Sequence, residues 1–260
     1  MGVLNVTPDS FSGDGLDGRL DAVVERAERL VDEGADLLDI GGESTRRGYA
    51  PVDTEEELRR VIPALRALAP RIRIPISVDT SKAEVARAAL AEGAVIVNDV
   101  SGLRDPDLLP VVQASAAGLV LVHNGVPPAD KSPMAAILTD LRRLVDACVT
   151  SGVPAERLAV DPGLGMGGKD WRTNFPIMRD LSDLTSLGCP VLVGASRKGM
   201  IARVLGPGLE NRLDGSLALA AMCVARGARV VRVHDVAETR QVVRMLDAIQ
   251  SGWDSSAPVA

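Results

Sequence analysis

Aromatic side chains are scarce: two Trp, one Tyr and two Phe in 260 residues. The core must therefore be aliphatic, and any ring set in a loop is available to stack on a flat ligand or to screen one from solvent. Phe11, Tyr49 and Trp171 stand in such loops, Phe175 reads as core of the next helix, and Trp253 falls near the C-terminus. Cysteine is nearly as sparse. Cys148, Cys189 and Cys223 are odd in number and widely spaced, which excludes a disulfide framework or a Cys-rich metal site and points to a reducing cytoplasm. No dense Lys/Arg block offsets the net charge of −6, so nucleic acid and anionic membranes are not expected partners. The longest apolar stretch, "LALAAMCVA" from Leu217, falls short of the ~20 residues a membrane span needs. No basic region leads into an apolar one at the start.

What is present is a regular alternation. With 46% hydrophobic and 25% charged residues the chain is globular. Eight short β-leaning runs recur: "GVLNV", "DLLDI", "IPISVD", "VIVND", "GLVLVH", "RLAVD", "PVLVG" and "RVVRV". Helix-period segments lie between them. Leu20, Val23, Val24, Ala27, Leu30 and Val31 form one buried stripe. Capping-box spacing at Thr54/Glu57, Ser81/Glu84 and Asp235/Glu238 marks helix starts. Strands separated by helices are parallel, and near-continuous apolar runs imply burial on both faces. Eight such units in this length predict an α/β fold, a single TIM (β/α)8 barrel, with a doubly wound open sheet as the alternative. One domain is expected over residues 1–252, with a flexible tail over 253–260.

In such a barrel the chemistry lies where strands end. Asn5, Asp39, Asp79, Asn98, Asp99, His123, Asn124 and Asp161 end six runs; "GASRKG" follows the seventh, and Arg232 and His234 belong to the eighth. Buried charges are costly unless paired or used, so a shared site is the economical reading, with Asp39 and Asp99 assigned structural work such as capping. His234 shares a strand face with Arg232 and is favoured as functional; His123 stays open. Arg46, Arg197, Lys198 and Arg232 form an anion-binding half, and Asp79, Asp161 and Asn98 suit the N–H edge of an amino-heterocycle. Neither "DPGLGMGG" nor "GGEST" is a dinucleotide fingerprint or a P-loop.

The motifs "GVLNVTPDSFS", "DIGGESTRRG", "ISVDTS", "VNDVSG", "VDPGLG", "GASRKGM" and "RVHDV" follow the order and spacing of the dihydropteroate synthases, and the chain resembles that family over nearly its whole length. The resemblance implies a transferase of folate biosynthesis that joins 6-hydroxymethyl-7,8-dihydropterin diphosphate to p-aminobenzoate and releases pyrophosphate. It implies a homodimer, Mg²⁺ as cofactor, and small-molecule substrates only. By the same resemblance Asp79, Asn98, Asp161 and Lys198 hold the pterin and Met166 covers it. Asn5, Arg232 and His234 hold the diphosphate, with Asn5 reaching the metal. Phe11, Thr45, Arg46, Lys198 and Gly199 serve p-aminobenzoate, and Asp79, Lys198, Arg46 and Arg232 form the catalytic set.

The chain also departs from the family pattern. Where Phe-Gly-Lys is common, it reads Met166-Gly-Gly-Lys169, one residue longer before Asn174. Gly199 stands where a hydroxyl residue is often found, and Arg47 where Pro is usual. The alternatives are a pterin-binding methyltransferase-like barrel and an inactive pterin-binding paralogue. The paired anion motifs "SRK" and "RVHDV" argue against a methyl transfer, which has no diphosphate to bind.

Overall fold

The computed structural model describes residues 1–7, 16–43, 52–206 and 211–252, without the side chains of 16–19. Eight strands form one parallel sheet in chain order: β1 (Gly2–Asn5), β2 (Leu38–Gly41), β3 (Ile76–Asp79), β4 (Ile96–Asp99), β5 (Gly118–Val122), β6 (Leu158–Asp161), β7 (Val191–Val193) and β8 (Ala228–Val231). A parallel bridge between Gly2 and Val233 closes the ring, with Val3 N donating to Val233 O at 3.0 Å and Val233 N to Met1 O at 2.9 Å. Closure removes both sheet edges and rules out the open doubly wound alternative.

Helices occupy the outside: α1 (Leu16–Asp32), α2 (Thr54–Leu68), α3 (Ala83–Ala91), α4 (Leu108–Ala114), α5 (Pro133–Thr150), α6 (Trp171–Arg179), α7 (Gly199–Leu205), α8 (Leu213–Ala225) and α9 (Val236–Ser251). Seven strand-to-strand connections carry one α-helix each or, between β7 and β8, two; α9 follows β8. Helix starts after β2, β3 and β8 fall within two residues of the expected positions, but the capping differs. Asp53, not Thr54, caps α2 by accepting from Glu56 N at 2.8 Å. No side chain of its own N-cap residue caps α3; instead Asp105 Oδ2 accepts from Ala83 N at 2.8 Å. Asp235 turns its carboxylate to Arg197 rather than to the first turn of α9. In each case a partner with a charge or a shorter reach wins over the box.

Strand alternation divides the core in two. Outward residues such as Leu38, Ile40, Val78, Val97, Leu119, Leu121, Val160, Val191 and Val193 are buried with the apolar helix faces in one large cluster. Inside the barrel a second, smaller cluster holds Met1, Val120, Val122 and Leu192, with Ile96, Ala159, Val230 and Met166 packed against it. Other inward positions are polar: Asp39, Ser77, Asp79, Asn98 and Asp161 are all buried, with Val3 the apolar neighbour of Asp39. The barrel interior is thus apolar below and charged toward the strand ends.

The loop after β6 lies flat on the loop after β5. Gly163 has φ +65°, and a Cβ there would sit 2.0 Å from the His123 carbonyl oxygen. Gly163→Ala is therefore expected to destabilise the fold by about 1–3 kcal/mol, combining left-handed strain with a backbone clash that no rotamer can relieve; chemical denaturation measures it, and an unchanged midpoint would contradict the seating.

Candidate active site

A cavity of about 1060 Å3 opens over the strand ends. Asn5 from β1, Asp79 from β3, Lys198 and Gly199 after β7, and Arg232 and His234 after β8 all line it, together with Lys169, Trp171 and Ser196. Asn98 on β4 and Asp161 on β6 are not in that wall: both are buried, Asn98 beside Asp79 in the strand register and Asp161 within electrostatic reach of Lys198 and Arg232. Met166 packs against the inner apolar cluster and is likewise not in the cavity wall. Phe11, Thr45 and Arg46, expected from the sequence to serve one substrate, lie outside the described residues.

Arg232 is the electrostatic hub. Its Nε donates to Asp39 Oδ2 at 2.5 Å and its Nη2 to Asp79 Oδ2 at 2.8 Å. Asn98 Nδ2 donates to the same Asp39 oxygen at 3.2 Å. Burial alone would lower the Arg232 pKa, but Asp39 and Asp79 outweigh it and hold the guanidinium charged. Asp39, expected to do structural work such as capping, caps no helix and instead accepts from Arg232 and Asn98 inside the barrel. Asp99 braces its own loop: Oδ1 accepts from Ser101 N at 2.8 Å and from Ser101 Oγ at 2.6 Å.

Burial raises the Asp79 pKa to about 7, against the pull of Arg232 and with the push of Asp39. Two carboxylates on one buried guanidinium retain a proton more readily than either alone. The folded protein then keeps the Asp79 proton to about pH 7, while the unfolded chain releases it near the ordinary aspartate value of 3.8. Folding is linked to proton uptake over that interval, so this contribution to stability is complete at acid pH and fades as pH climbs toward 7. Asp79→Asn should remove that downward slope from the stability profile relative to wild type; urea titrations from pH 4 to 8 with the same slope in both proteins would contradict it.

Asp161 is also raised by burial, opposed by the Gly163 amide, which donates to Oδ1 at 2.6 Å, and by Lys198. Burial lowers Lys198, with Asp161 resisting. Four buried polar atoms have no hydrogen-bond partner among the described residues: Asp39 Oδ1, Asn98 Oδ1 and Ser77 Oγ inside the barrel, and Glu57 Oε1 on α2. Such atoms are costly unless a ligand supplies the donor. The barrel interior therefore favours a ligand edge rich in N–H groups, and the rim, with Lys198, Arg232 and His234, favours an anion.

Several residues were not singled out from sequence. Ser196 Oγ lies 3.0 Å from His234 Nδ1 and fixes that ring at the rim; it was visible inside "GASRKG", but nothing local marked it as the partner of a residue 38 positions on. Glu43 lines the cavity and pairs with Lys82 at 2.7 Å, and the same Lys82 holds Glu57. That pairing takes Glu57 away from the capping box predicted for it. Trp171 begins α6 rather than standing free in a loop, and packs edge-on to Phe175 with centroids 6.1 Å apart. His123 is absent from the cavity wall and is hydrogen-bonded to the buried Lys169 on one side and to the exposed Asp140 on the other.

Comparison with known proteins bears directly on this site. The profile of the pterin binding enzymes matches residues 1–234. The dihydropteroate synthase of Escherichia coli is 40% identical over 262 residues, covering 98% of this chain and 93% of the relative. The chain belongs to the dihydropteroate synthase family. The synthase of Clostridium beijerinckii is 39% identical over 251 residues, 96% of this chain and 93% of that one. Among solved structures, the Xanthomonas albilineans synthase with 4-aminobenzoic acid superposes with a TM-score of 0.91 at 43% identity, covering 99% of this chain and 93% of the other. The same enzyme in complex with 7,8-dihydropteroate gives 0.88 at 42% identity, with the same coverage. The TIM barrel, the pterin-binding class and the transferase activity of folate biosynthesis expected from the motifs are those of the family. No described helix is long and apolar enough to cross a membrane.

Proposed function

We propose that this chain condenses 6-hydroxymethyl-7,8-dihydropterin diphosphate with p-aminobenzoate in the cavity over the strand ends, each substrate held by residues this chain contributes. The carrying observation is that Asp79 shares one cavity wall with Lys198, Arg232 and His234, while the acceptors Asn98 and Asp161 are buried within the same barrel. Asp79, Asn98 and Asp161 accept from the pterin N–H edge, Lys198 donates to its ring, and Met166 covers one face with a polarisable thioether. Arg232 and His234 hold the diphosphate, and Ser196 keeps His234 oriented. Lys198 and Gly199 face the p-aminobenzoate, together with Phe11, Thr45 and Arg46 from the first two loops. The barrel over 1–252 acts as a single domain in this reading.

The pterin methylene–oxygen bond breaks first, and its electron pair leaves with pyrophosphate. Arg232, His234 and Lys198 neutralise the departing charge, while the acidic barrel interior stabilises the cationic methylene. The arylamine nitrogen then attacks that carbon and loses a proton to solvent or to the departing pyrophosphate. No covalent bond to the protein is needed; orientation and exclusion of water supply the rest.

Mg²⁺ fits this site in one way only. Among the described residues no three His, Cys, Asp or Glu side chains cluster as a metal site. Asn5 offers a single amide oxygen at the cavity wall. That suits a hard cation bound chiefly by diphosphate oxygens and water, with one protein ligand. When bound there, it would offset negative charge on the leaving group.

A homodimer is the expected assembly. Helix α8 is apolar on nearly all sides, and Met222 on it and Val204 and Leu205 on the neighbouring α7 are exposed. A helix of that character normally has a partner on each face. The three cysteines are free and buried, in keeping with a reducing cytoplasm.

Pyrophosphate release by the purified chain tests the reading. Dihydropteroate and pyrophosphate are expected in equal amounts, only with both substrates present, and with loss of turnover on chelation of Mg²⁺. Release from the pterin substrate alone at the same rate would overturn it.

A further inference from the structure

Lys169 is the residue the motif comparison left without a role, and its surroundings are unlike those of any other lysine in the described residues. Its side chain is buried, 2% exposed, although it borders the cavity. The ammonium lies 3.0 Å from His123 O, 3.0 Å from Gly125 O, 3.2 Å from Met166 O and 3.1 Å from His123 Nδ1. Two of those carbonyls belong to the loop after β5 and one to the loop after β6. The ammonium is thus a bolt between two loops rather than half of an ion pair.

The rest of the geometry follows from that bolt. His123 Nδ1 accepts from the ammonium, so the ring is neutral with its proton on Nε2, which donates to Asp140 Oδ2 on α5 at 3.1 Å. The Lys169 amide itself donates to Met166 O at 3.0 Å, closing a tight turn around Gly167 and Gly168. Gly167 is left-handed at φ +59°, and a Cβ there would stand 2.3 Å from Gly125 N, so the two loops touch backbone to backbone. The longer Met-Gly-Gly-Lys segment therefore seats Lys169 beneath the loop that carries Met166.

We infer that Lys169 is a positioning residue whose ammonium locks the β6 loop onto the β5 loop and thereby fixes the place of Met166, the residue proposed above to cover the pterin. It acts through Met166 and touches no reacting atom. The effect on catalysis rests on the function proposed above; the lock itself does not. Burial brings the Lys169 pKa down to about 8, with Asp161 resisting and Lys198 adding to the fall. The groups facing the ammonium are His123 just after β5, with Asp140 of α5 behind it, Asp161 from β6, and Lys198 from the β7 loop. Of these only Asp161 favours the charge directly, so the lock weakens as pH rises past about 8.

Two measurements test this and separate it from the proposed reaction. Hydrogen exchange without substrate, corrected for intrinsic rates, should show protection over residues 163–169 falling about tenfold relative to the barrel strands between pH 7 and 9.5 in the wild-type protein. In Lys169→Met the same segment should exchange about tenfold faster already at pH 7, with the alkaline step gone. In turnover, Lys169→Met should raise KM for the pterin substrate about tenfold while kcat at saturation and KM for p-aminobenzoate stay within about threefold. If Lys169→Met does not fold, Gly167→Ala should reproduce the KM rise and keep the alkaline step. Unchanged exchange in the wild-type pH series, or a fall in kcat with unchanged pterin KM, would overturn the inference. Absence of all turnover in the wild type would overturn the proposed function and leave exchange to decide on the lock.

Discussion

Replacing Arg232 with alanine lowers kcat/KM by about three orders of magnitude, the larger part of it in kcat. Removal of one preorganised donor to a developing anion costs roughly 10²- to 10³-fold, and Arg232 supplies a forked pair with a full charge. The same substitution acts on the fold. Asp39 and Asp79, both held by that guanidinium, would face each other without it, and breaking a buried pair typically costs about 3–5 kcal/mol unless a proton takes the place of the lost charge. The two losses are separable. Arg232→Lys keeps the charge but not the fork, so it should recover most of the stability and only part of the rate. Melting curves and initial rates on the two variants make the comparison; near wild-type kcat in Arg232→Ala would remove Arg232 from the leaving-group site.

Asp161→Asn is the second large effect, and it appears in the other half of the reaction. Asparagine keeps the size of the side chain and its oxygen can still accept from Gly163 N. The other atom becomes an N–H₂ donor, aimed at a ligand edge that itself donates. Loss of a carboxyl acceptor together with a donor–donor conflict should weaken pterin binding about 10²- to 10³-fold. Stability should change little, because burial already disfavours the ionised form of Asp161. Titration of a pterin against both proteins shows the difference, and a variant that binds the ring as tightly as wild type would exclude Asp161 from it.

The contrast between these residues reflects what a sequence can carry. Strand ends were legible because each apolar run is short and stops at a polar residue: Asn5, Asp79, Asn98 and Asp161 all fall at or next to the last residue of their strands. The barrel followed from counting, since a parallel strand with both faces buried leaves the chain few arrangements. Partnerships across the barrel were not legible. Asp39 reads locally as a candidate brace, and only closure of the sheet brings it to Arg232, 193 positions away. His123 and Lys169 are 46 apart, and their contact depends on a loop seated by left-handed glycines. Helix starts were legible to within two residues, whereas the capping side chain was not, because Asp53 beside Thr54 and Asp105 on a distant loop competed for the same amides.

The central claim is that acidic residues in the barrel interior bind a nitrogenous ring while basic residues at the rim bind what leaves it. Calorimetric titration with 6-hydroxymethyl-7,8-dihydropterin, which carries no diphosphate, isolates the first half. Binding should fall about 100-fold or more in Asp161→Asn and stay within about fivefold in Arg232→Lys, while pyrophosphate should show the reverse order. Equal losses of both ligands in both variants, or ring affinity indifferent to Asp161, would contradict the division on which the account stands.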